Sequence, residues 1–179
     1  MIIDTYQSTA VMRILQSGEI YRAYPSISFR KEYAALIDML DLHCECPVFG
    51  VVAGRKQNTG GRVSGAVRIR LNVPNEYVRL TEYSVWADFM ENCKYTKPND
   101  YRTIIVGAEE VNAAQHKRLI EDLRDQRPVS KYKVPQAILE YIDPRWVVRY
   151  KIIKNTREQE DWKEASVSES KDLRSILLY

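Results

Sequence analysis

Two polar residues in the segment VPQAILEYID (134–143), Gln136 and Glu140, have side chains suited to acid–base chemistry. On an extended chain, residues four positions apart project to one side, about 13 Å from each other. Ile138 and Ile142 share that side, so a carboxylate there would be partly desolvated, as in many acid–base sites. The alternative is a strand at the edge of a sheet, with both polar side chains in water. The sequence leaves both interpretations open.

The segment RKQNTGGRVSGAVRIR (55–70) is strongly basic and has no acidic residue. Strand alternation would place two of its cations on one face, where they could bind phosphates. A second basic group surrounds residues 134–143, and if the two groups adjoin, binding of RNA or DNA is favoured. The alternative is a solvated hairpin whose charges prevent aggregation. The first group is Arg55, Lys56, Arg62, Arg68 and Arg70, and the second is Lys131, Lys133, Arg145, Arg149 and Lys151.

The tetrapeptide His43-Cys44-Glu45-Cys46 contains the residue types that bind zinc. Its C-x-C step differs from the C-x₂₋₄-C spacing with which two thiolates bind one tetrahedral ion. Cys93 and His116 are single and distant along the chain. We therefore expect no metal site and interpret the cysteines as small buried hydrophobic residues.

The composition predicts one main domain, residues 1–154, with a charged C-terminal tail, residues 155–179, that is helical or partly disordered. No basic and apolar leader opens the chain, and no apolar run approaches the roughly 20 residues that span a bilayer. Three cysteines are an odd number, which is a poor basis for disulfides. We expect a soluble cytoplasmic protein, in which the tail, with Trp162 and Leu177, could bind a partner.

Local signals predict the elements that would position these residues. The chain should begin with a strand over Ile2–Tyr6, followed by a helix capped by Ser8 or Thr9 and closed by Gly18. Further helices should start at Ser28, at Thr81 and near residue 109, the last with Val111 in its core face. Strands are expected at 47–54, 63–74 and Thr103–Val106, and on both sides of the Asp143-Pro144 turn. Strands in hairpins, without strand–helix alternation, favour an α+β fold with a mostly antiparallel sheet.

The motif TYQSTAVMRILQSGEIYR resembles the opening of the DarT-type members of the ADP-ribosyltransferase superfamily. Three further motifs also resemble a family of uncharacterised bacterial and phage proteins with the same N-terminal and C-terminal framework: FRKEYAALIDML, RLNVPNEYVRLTEYSVWADFMEN and PQAILEYIDPRWV. Together the four motifs cover most of residues 2–153. The resemblance implies a split, mostly antiparallel sheet with flanking helices and with NAD⁺ in the cleft between its halves. It also implies that Tyr6, Gln7 and Ser8 hold NAD⁺, that Tyr33 packs on the nicotinamide, and that the loop 126–135 recognises the acceptor.

The resemblance implies a glutamate near the start of a late strand, which here begins at Gln136. In the related pattern the acid follows two residues after the glutamine, but this chain has Ile138 at that position. Glu140 lies about 6.6 Å further along the same face. Either Glu140 serves as the catalytic acid together with Gln136, or the chemistry is altered or lost.

The resulting hypothesis is an NAD⁺-dependent ADP-ribosyltransferase that modifies nucleic acid, with a toxin or phage-conflict effector as the expected biological role. NAD⁺ would be its substrate, and an antitoxin or regulatory protein could bind the tail. The alternatives are a non-catalytic nucleic-acid-binding module on the same fold, or an adaptor that binds another protein through its tyrosine-rich surface.

Overall fold

A computed structural model describes residues 1–25, 28–57, 62–94, 96–97, 100–104, 113–154 and 163–164. These residues form an α+β fold with an antiparallel sheet and four α-helices. The strands are β1 (Ile2–Gln7), β2 (Val48–Val52), β3 (Val67–Asn72), β4 (Arg79–Glu82), β5 (Thr96–Lys97), β6 (Asp100–Ile104), β7 (Pro135–Leu139), β8 (Val147–Ile152) and β9 (Lys163–Glu164). The helices are α1 (Thr9–Gln16), α2 (Arg30–Leu40), α3 (Tyr83–Cys93) and α4 (Ala113–Arg124).

The main sheet has the strand order β4-β7-β2-β1-β3-β8-β9, and β5 and β6 form a separate hairpin. Every described pair of neighbouring strands is antiparallel, which confirms the prediction from sequence. The predicted hairpins of β2 with β3 and of β7 with β8 are wrong. The connection 53–66 is long enough to cross over β1, so β2 and β3 lie on opposite sides of that strand. β7 lies between β4 and β2 in the sheet. The alternative that this segment forms an edge strand is therefore wrong.

The ladder between β1 and β2 is short. β1 pairs with β3 along its whole length, from Ile2 to Gln7, whereas its described register with β2 covers Ile3 and Asp4 alone. Next to this short ladder the strands approach closely at Gly50, where an added Cβ would overlap the Cγ2 of Ile3. Past Asp4 the ladder is replaced by a side-chain hydrogen bond, which Thr5 Oγ1 donates to the Phe49 carbonyl at 2.8 Å.

The two faces of the sheet contact different helices. One face, which includes Ile3 and Leu71, packs against α1 in the first hydrophobic core. On the other face, Ile138 of β7 packs into a second core built mainly by α2, α3 and α4. Because side chains alternate along a strand, β7 contributes Ala137 and Leu139 to the first core and Ile138 to the second.

Helix α1 begins and ends as its sequence predicts. The hydroxyl of Ser8 accepts a hydrogen bond from the backbone N–H of Val11 at 3.4 Å, which makes Ser8 the N-cap. Gly18 follows the C-cap residue with a φ of +83°, a conformation that glycine adopts without strain. Capping therefore fixes the position of α1 directly after β1.

Two predicted helix starts are wrong. Helix α2 has Phe29 rather than Ser28 at its N-cap, without a side-chain hydrogen bond. Thr81 lies inside β4, and α3 begins two residues later with Glu82 at its N-cap. The Glu82 carboxylate instead accepts hydrogen bonds from the backbone N–H groups of Lys133 and Val134, and this ties the start of α3 to the segment that enters β7.

Other predictions fall partly or wholly outside the described residues. Strand β6 begins at Asp100, earlier than the predicted Thr103, and α4 is described from Ala113. In the predicted tail, the structure describes Lys163–Glu164, which pair with β8 as β9. No helix within the described ranges combines the length and apolar character needed to cross a membrane. Gly60, Gly61, Val106, Val111, Trp162 and Leu177 lie outside the described residues.

Candidate functional site

A crevice opens where the ladder between β1 and β2 ends, and we name it the β1–β7 crevice. It encloses a cavity of about 140 Å³. The end of β1, the middle of β2, the start of α3 and the start of β7 all contribute to its walls. Its lining residues are Tyr6, Phe49, Gly50, Val51, Tyr83, Val134, Pro135 and Gln136. The structure thus brings together Tyr6 and Gln136, two site residues predicted from opposite ends of the chain.

Gln136 supplies an amide to the crevice from a fixed backbone. Its Oε1 accepts a hydrogen bond from Thr81 Oγ1 at 3.3 Å, so its Nε2 group can donate to a ligand. The preceding segment is held by Glu82, whose carboxylate oxygens lie 2.6 and 2.9 Å from the backbone nitrogens of Lys133 and Val134. The N–H of Tyr83 also donates to the Val134 carbonyl at 3.0 Å. This rim is therefore a preorganised part of the molecule.

A buried charge cluster lies beside Tyr6, on the same face of the sheet. The carboxylate of Asp4 is 0% exposed and accepts hydrogen bonds from the guanidinium groups of Arg68 and Arg70. Burial on its own would raise the pKa of Asp4, but hydrogen bonds and charge from the two arginines offset this and hold that pKa below its usual range. The Arg68 guanidinium also lies 5.9 Å from the centre of the Tyr6 ring.

The remaining residues predicted to hold NAD⁺ have other contacts. Gln7 points to the opposite face from Tyr6, and its Nε2 donates to Thr5 Oγ1 at 2.7 Å. The Ser8 hydroxyl caps α1. Tyr33 packs on Phe49 with ring centroids 5.4 Å apart, so its ring is one aromatic layer away from the crevice.

Glu140 lies in a different pocket from Tyr6. Strand β7 ends at Leu139, and the next residue turns toward the end of α2, where Glu140 Oε1 accepts a hydrogen bond from the His43 backbone N–H at 3.0 Å. Gln136, rather than Glu140, is the predicted catalytic residue that lines the crevice with Tyr6. The same-face argument from sequence placed Gln136 and Glu140 together because it assumed that the strand continued to Glu140.

The two predicted basic groups adjoin at two places. Arg55 donates a hydrogen bond from Nη2 to the Tyr132 carbonyl at 2.6 Å, which brings it next to the exposed Lys131 and Lys133. Across the β3–β8 ladder, Arg68 lies opposite Lys151 and Arg70 lies opposite Arg149. Lys56 is exposed, Arg62 is half-buried, and Arg145 bonds to the carboxylate of Asp143.

The cysteines lie apart from the crevice lining. Cys44 is half-buried, and Cys46 and Cys93 are buried. Burial, with the nearby Glu140 and Cys46, raises the pKa of the Cys44 thiol to about 11, so it is a poor nucleophile at neutral pH. Within the described part of the chain, no group of three or more His, Cys, Asp or Glu side chains could hold a metal ion.

The sequence reasoning missed Phe49, Tyr83 and Asp4. An available signal for Asp4 was its place in an apolar strand, Ile2-Ile3-Asp4-Thr5, since a charge buried in a sheet needs partners such as Arg68 and Arg70. Phe49 and Tyr83 carried no separate signal, because aromatic residues in strands and helices are usually core residues.

Comparisons of the chain with protein-family models, with curated proteins and with solved structures found no significant match. The geometry of the crevice and the chemistry of its lining residues therefore carry the functional proposal.

Proposed function

We propose that the protein binds NAD⁺ through the β1–β7 crevice, as an ADP-ribosyltransferase-like protein in which the crevice offers the amide of Gln136 and the position of the expected acid holds Ile138. The observation that supports this best is that Tyr6 and Gln136, 130 residues apart in the sequence, line one crevice with two further aromatic residues. From the sequence, Tyr6 was a candidate to hold NAD⁺, and Gln136 was a candidate catalytic residue at the start of the late strand.

The size and chemistry of the crevice suit one ring of the dinucleotide. A cavity of about 140 Å³ is smaller than the roughly 300–1,000 Å³ of pockets that enclose a whole drug-sized ligand. Tyr6, Phe49 and Tyr83 offer aromatic surface for stacking on a flat ring such as nicotinamide. The Gln136 Nε2 group would donate a hydrogen bond to an acceptor on that ring or on its ribose.

The lining of the crevice favours binding of NAD⁺ over rapid transfer of its ADP-ribose. None of its described lining residues is acidic. Positive charge that develops on a ribose is stabilised strongly by a carboxylate in a dry site, and much less by the dipole of an amide. We therefore propose NAD⁺ binding as the main activity and ADP-ribosyl transfer as slow.

A thermal-shift titration with NAD⁺, combined with a nicotinamide-release assay, tests this proposal. Ligand at 100 times its dissociation constant should add about 2.7 kcal/mol to the free energy of unfolding. The Gln136→Ala variant should lose this stabilisation while folding normally, because Gln136 is half-buried at the start of the strand. If NAD⁺ does not stabilise the wild-type protein, the proposal is wrong.

Two further variants separate the roles of Gln136 and Glu140. Gln136→Glu places a carboxylate in the crevice and should raise nicotinamide release by at least about tenfold. Glu140→Gln removes a carboxylate outside the crevice and should change neither binding nor release. The opposite result would be that Glu140→Gln loses NAD⁺ binding or nicotinamide release while Gln136→Ala keeps both. In that case the catalytic residue would be Glu140.

A second candidate function is nucleic-acid binding, either as the target of transfer or without chemistry. The specific observation in its favour is that the two predicted basic groups adjoin where Arg55 lies next to the exposed Lys131 and Lys133. Binding of single-stranded RNA or DNA should weaken steeply as salt rises. Lys131→Gln combined with Lys133→Gln should reduce the affinity without affecting stability, because both side chains are exposed. Affinity that is independent of salt would exclude this candidate.

A further inference from the structure

Glu140 belongs to a pocket of its own, which we name the aromatic–acid pocket. It encloses about 310 Å³ between the end of α2, the segment before β4 and the turn after β7. Its lining residues are Leu42, Glu76, Tyr77, Arg79, Glu140, Tyr141 and Trp146. The β1–β7 crevice shares none of these lining residues, so the two sites can be tested independently.

Three aromatic rings form one side of this pocket. Tyr141 stacks on Trp146 with centroids 5.2 Å apart, and Tyr77 lies 5.3 Å from Trp146 and 6.0 Å from Tyr141. Trp146 is buried, whereas Tyr77 is 46% exposed, so part of the Tyr77 ring is open to a ligand. An exposed face on a rigid aromatic cluster provides a surface for a flat or cationic group.

The cluster already binds one cation from its own chain. The guanidinium carbon of Arg22 lies 5.0 Å from the centre of the Tyr141 ring. A guanidinium group is planar, permanently charged and weakly hydrated, so it stacks on aromatic faces more readily than an ammonium group does. The Arg22 contact shows the geometry with which these rings accept a guanidinium.

The lining of the pocket has more carboxylates than cations, and the nearby Arg145 is paired with the carboxylate of Asp143. Its lining includes the carboxylates of Glu76 and Glu140 and one cation, Arg79, whose Nη1 donates to the Glu76 carbonyl at 3.2 Å. Glu140 is held in place by the His43 N–H, which bonds to Oε1, and its side chain is 29% exposed. A carboxylate fixed through one oxygen can accept further hydrogen bonds from a ligand at the other.

We propose that the aromatic–acid pocket binds a guanidinium group of the kind that an arginine side chain carries. The ligand would stack on the Tyr77 ring and donate hydrogen bonds to the Glu140 carboxylate, with Glu76 at the rim. The ligand is either free arginine or an arginine within a peptide, because both present the same group to the pocket.

Calorimetric titration of the full chain with Nα-acetyl-arginine amide tests this proposal. Nα-acetyl-citrulline amide is the matched ligand control, since it has nearly the same shape without the charge. We expect binding of the arginine compound and at least about tenfold weaker binding of the citrulline compound. Equal binding of the two, or no binding of either, would overturn the proposal. A parallel titration with free L-arginine distinguishes free arginine from arginine within a peptide. Free L-arginine would bind as tightly as Nα-acetyl-arginine amide only if the acetyl and amide groups of that compound contribute nothing to binding.

Two variants connect the binding to the named residues. Glu140→Gln keeps an oxygen that can accept the His43 hydrogen bond but removes the charge, and it should weaken binding by about tenfold. Tyr77→Leu removes the exposed ring and should weaken binding by several-fold. Glu91→Gln, a charge change at an exposed position on α3, should have no effect. Unchanged affinity in both pocket variants, with normal melting curves, would also overturn the proposal, whatever the result of the NAD⁺ titration.

Discussion

Replacing Asp4 with asparagine removes the negative charge that two arginines share inside the sheet. The carboxylate is fully buried, and it accepts bonds from Arg70 Nε at 2.7 Å, from Arg70 Nη2 at 2.8 Å and from Arg68 Nη2. Without the charge, two neighbouring guanidinium groups repel each other. Both keep some contact with water, at 18% and 21% side-chain exposure, so we expect a loss of about 3 kcal/mol, at the lower end of the range for breaking a buried ion pair.

Urea denaturation at neutral pH measures this loss. A change of about 3 kcal/mol should lower the midpoint by about 1–3 M for a typical urea dependence of a small protein. Glu91→Gln is the matched control, because it also replaces an acid by its amide in an ion pair, here with Lys94 at 63% and 61% exposure. Such an exposed pair contributes about 0–1 kcal/mol. If the Asp4 variant loses no more stability than the control, the cluster does not stabilise the sheet as we argue.

The same cluster predicts a dependence on pH. Because the arginines hold the pKa of Asp4 below its unfolded value, its stabilising effect is fully present above that unfolded value. The effect is lost as the pH falls through the lower pKa of the folded state. The gap in unfolding free energy between wild type and Asp4→Asn should therefore narrow in acid, and a gap that stays constant would contradict this reasoning.

Three further changes test individual parts of the fold. Gly50→Ala should lower the free energy of unfolding by about 1–3 kcal/mol in a urea titration, because its Cβ would overlap Ile3; an unchanged midpoint would mean that the strands separate easily. Ser8→Ala should cost about 1 kcal/mol in the same assay through loss of the cap on α1, and Ser8→Gly should cost less. With its pKa raised to about 11, Cys44 should react with iodoacetamide at pH 8 roughly 100-fold more slowly than a cysteine peptide, as followed by mass spectrometry; a rate equal to that of the peptide would contradict the burial of the thiol.

The sequence was sufficient for features that depend on neighbouring residues. The α+β class, a mostly antiparallel sheet and a cap on α1 at Ser8 or Thr9 were predicted from periodicity and capping chemistry. The structure has the class and the antiparallel sheet, although the predicted hairpins are wrong, and it places the cap at Ser8. Strand order was not predictable in the same way. It depends on where long connections cross, and nothing in residues 53–66 indicates that β1 lies between β2 and β3.

The candidate site was predictable in part. Tyr6 and Gln136 were identified as site residues and line one crevice. Glu140 was grouped with Gln136 by alternation, which holds only as far as the strand continues, and β7 ends one residue earlier. Asp4 was overlooked because its partners, Arg68 and Arg70, lie more than 60 positions away in the sequence and had been interpreted as exposed cations.

The central place of β7 has a consequence for how the protein is made. Until residues 135–139 leave the ribosome, β2 and β4 cannot be joined, and the backbone groups that β7 will later pair on both strands stay available to other chains. Synthesis therefore passes through a stage in which β1, β2 and α3 have been made but the β1–β7 crevice lacks the wall that β7 supplies. A nascent chain of this kind would be unable to bind through the crevice until residues 135–139 have been made and have paired.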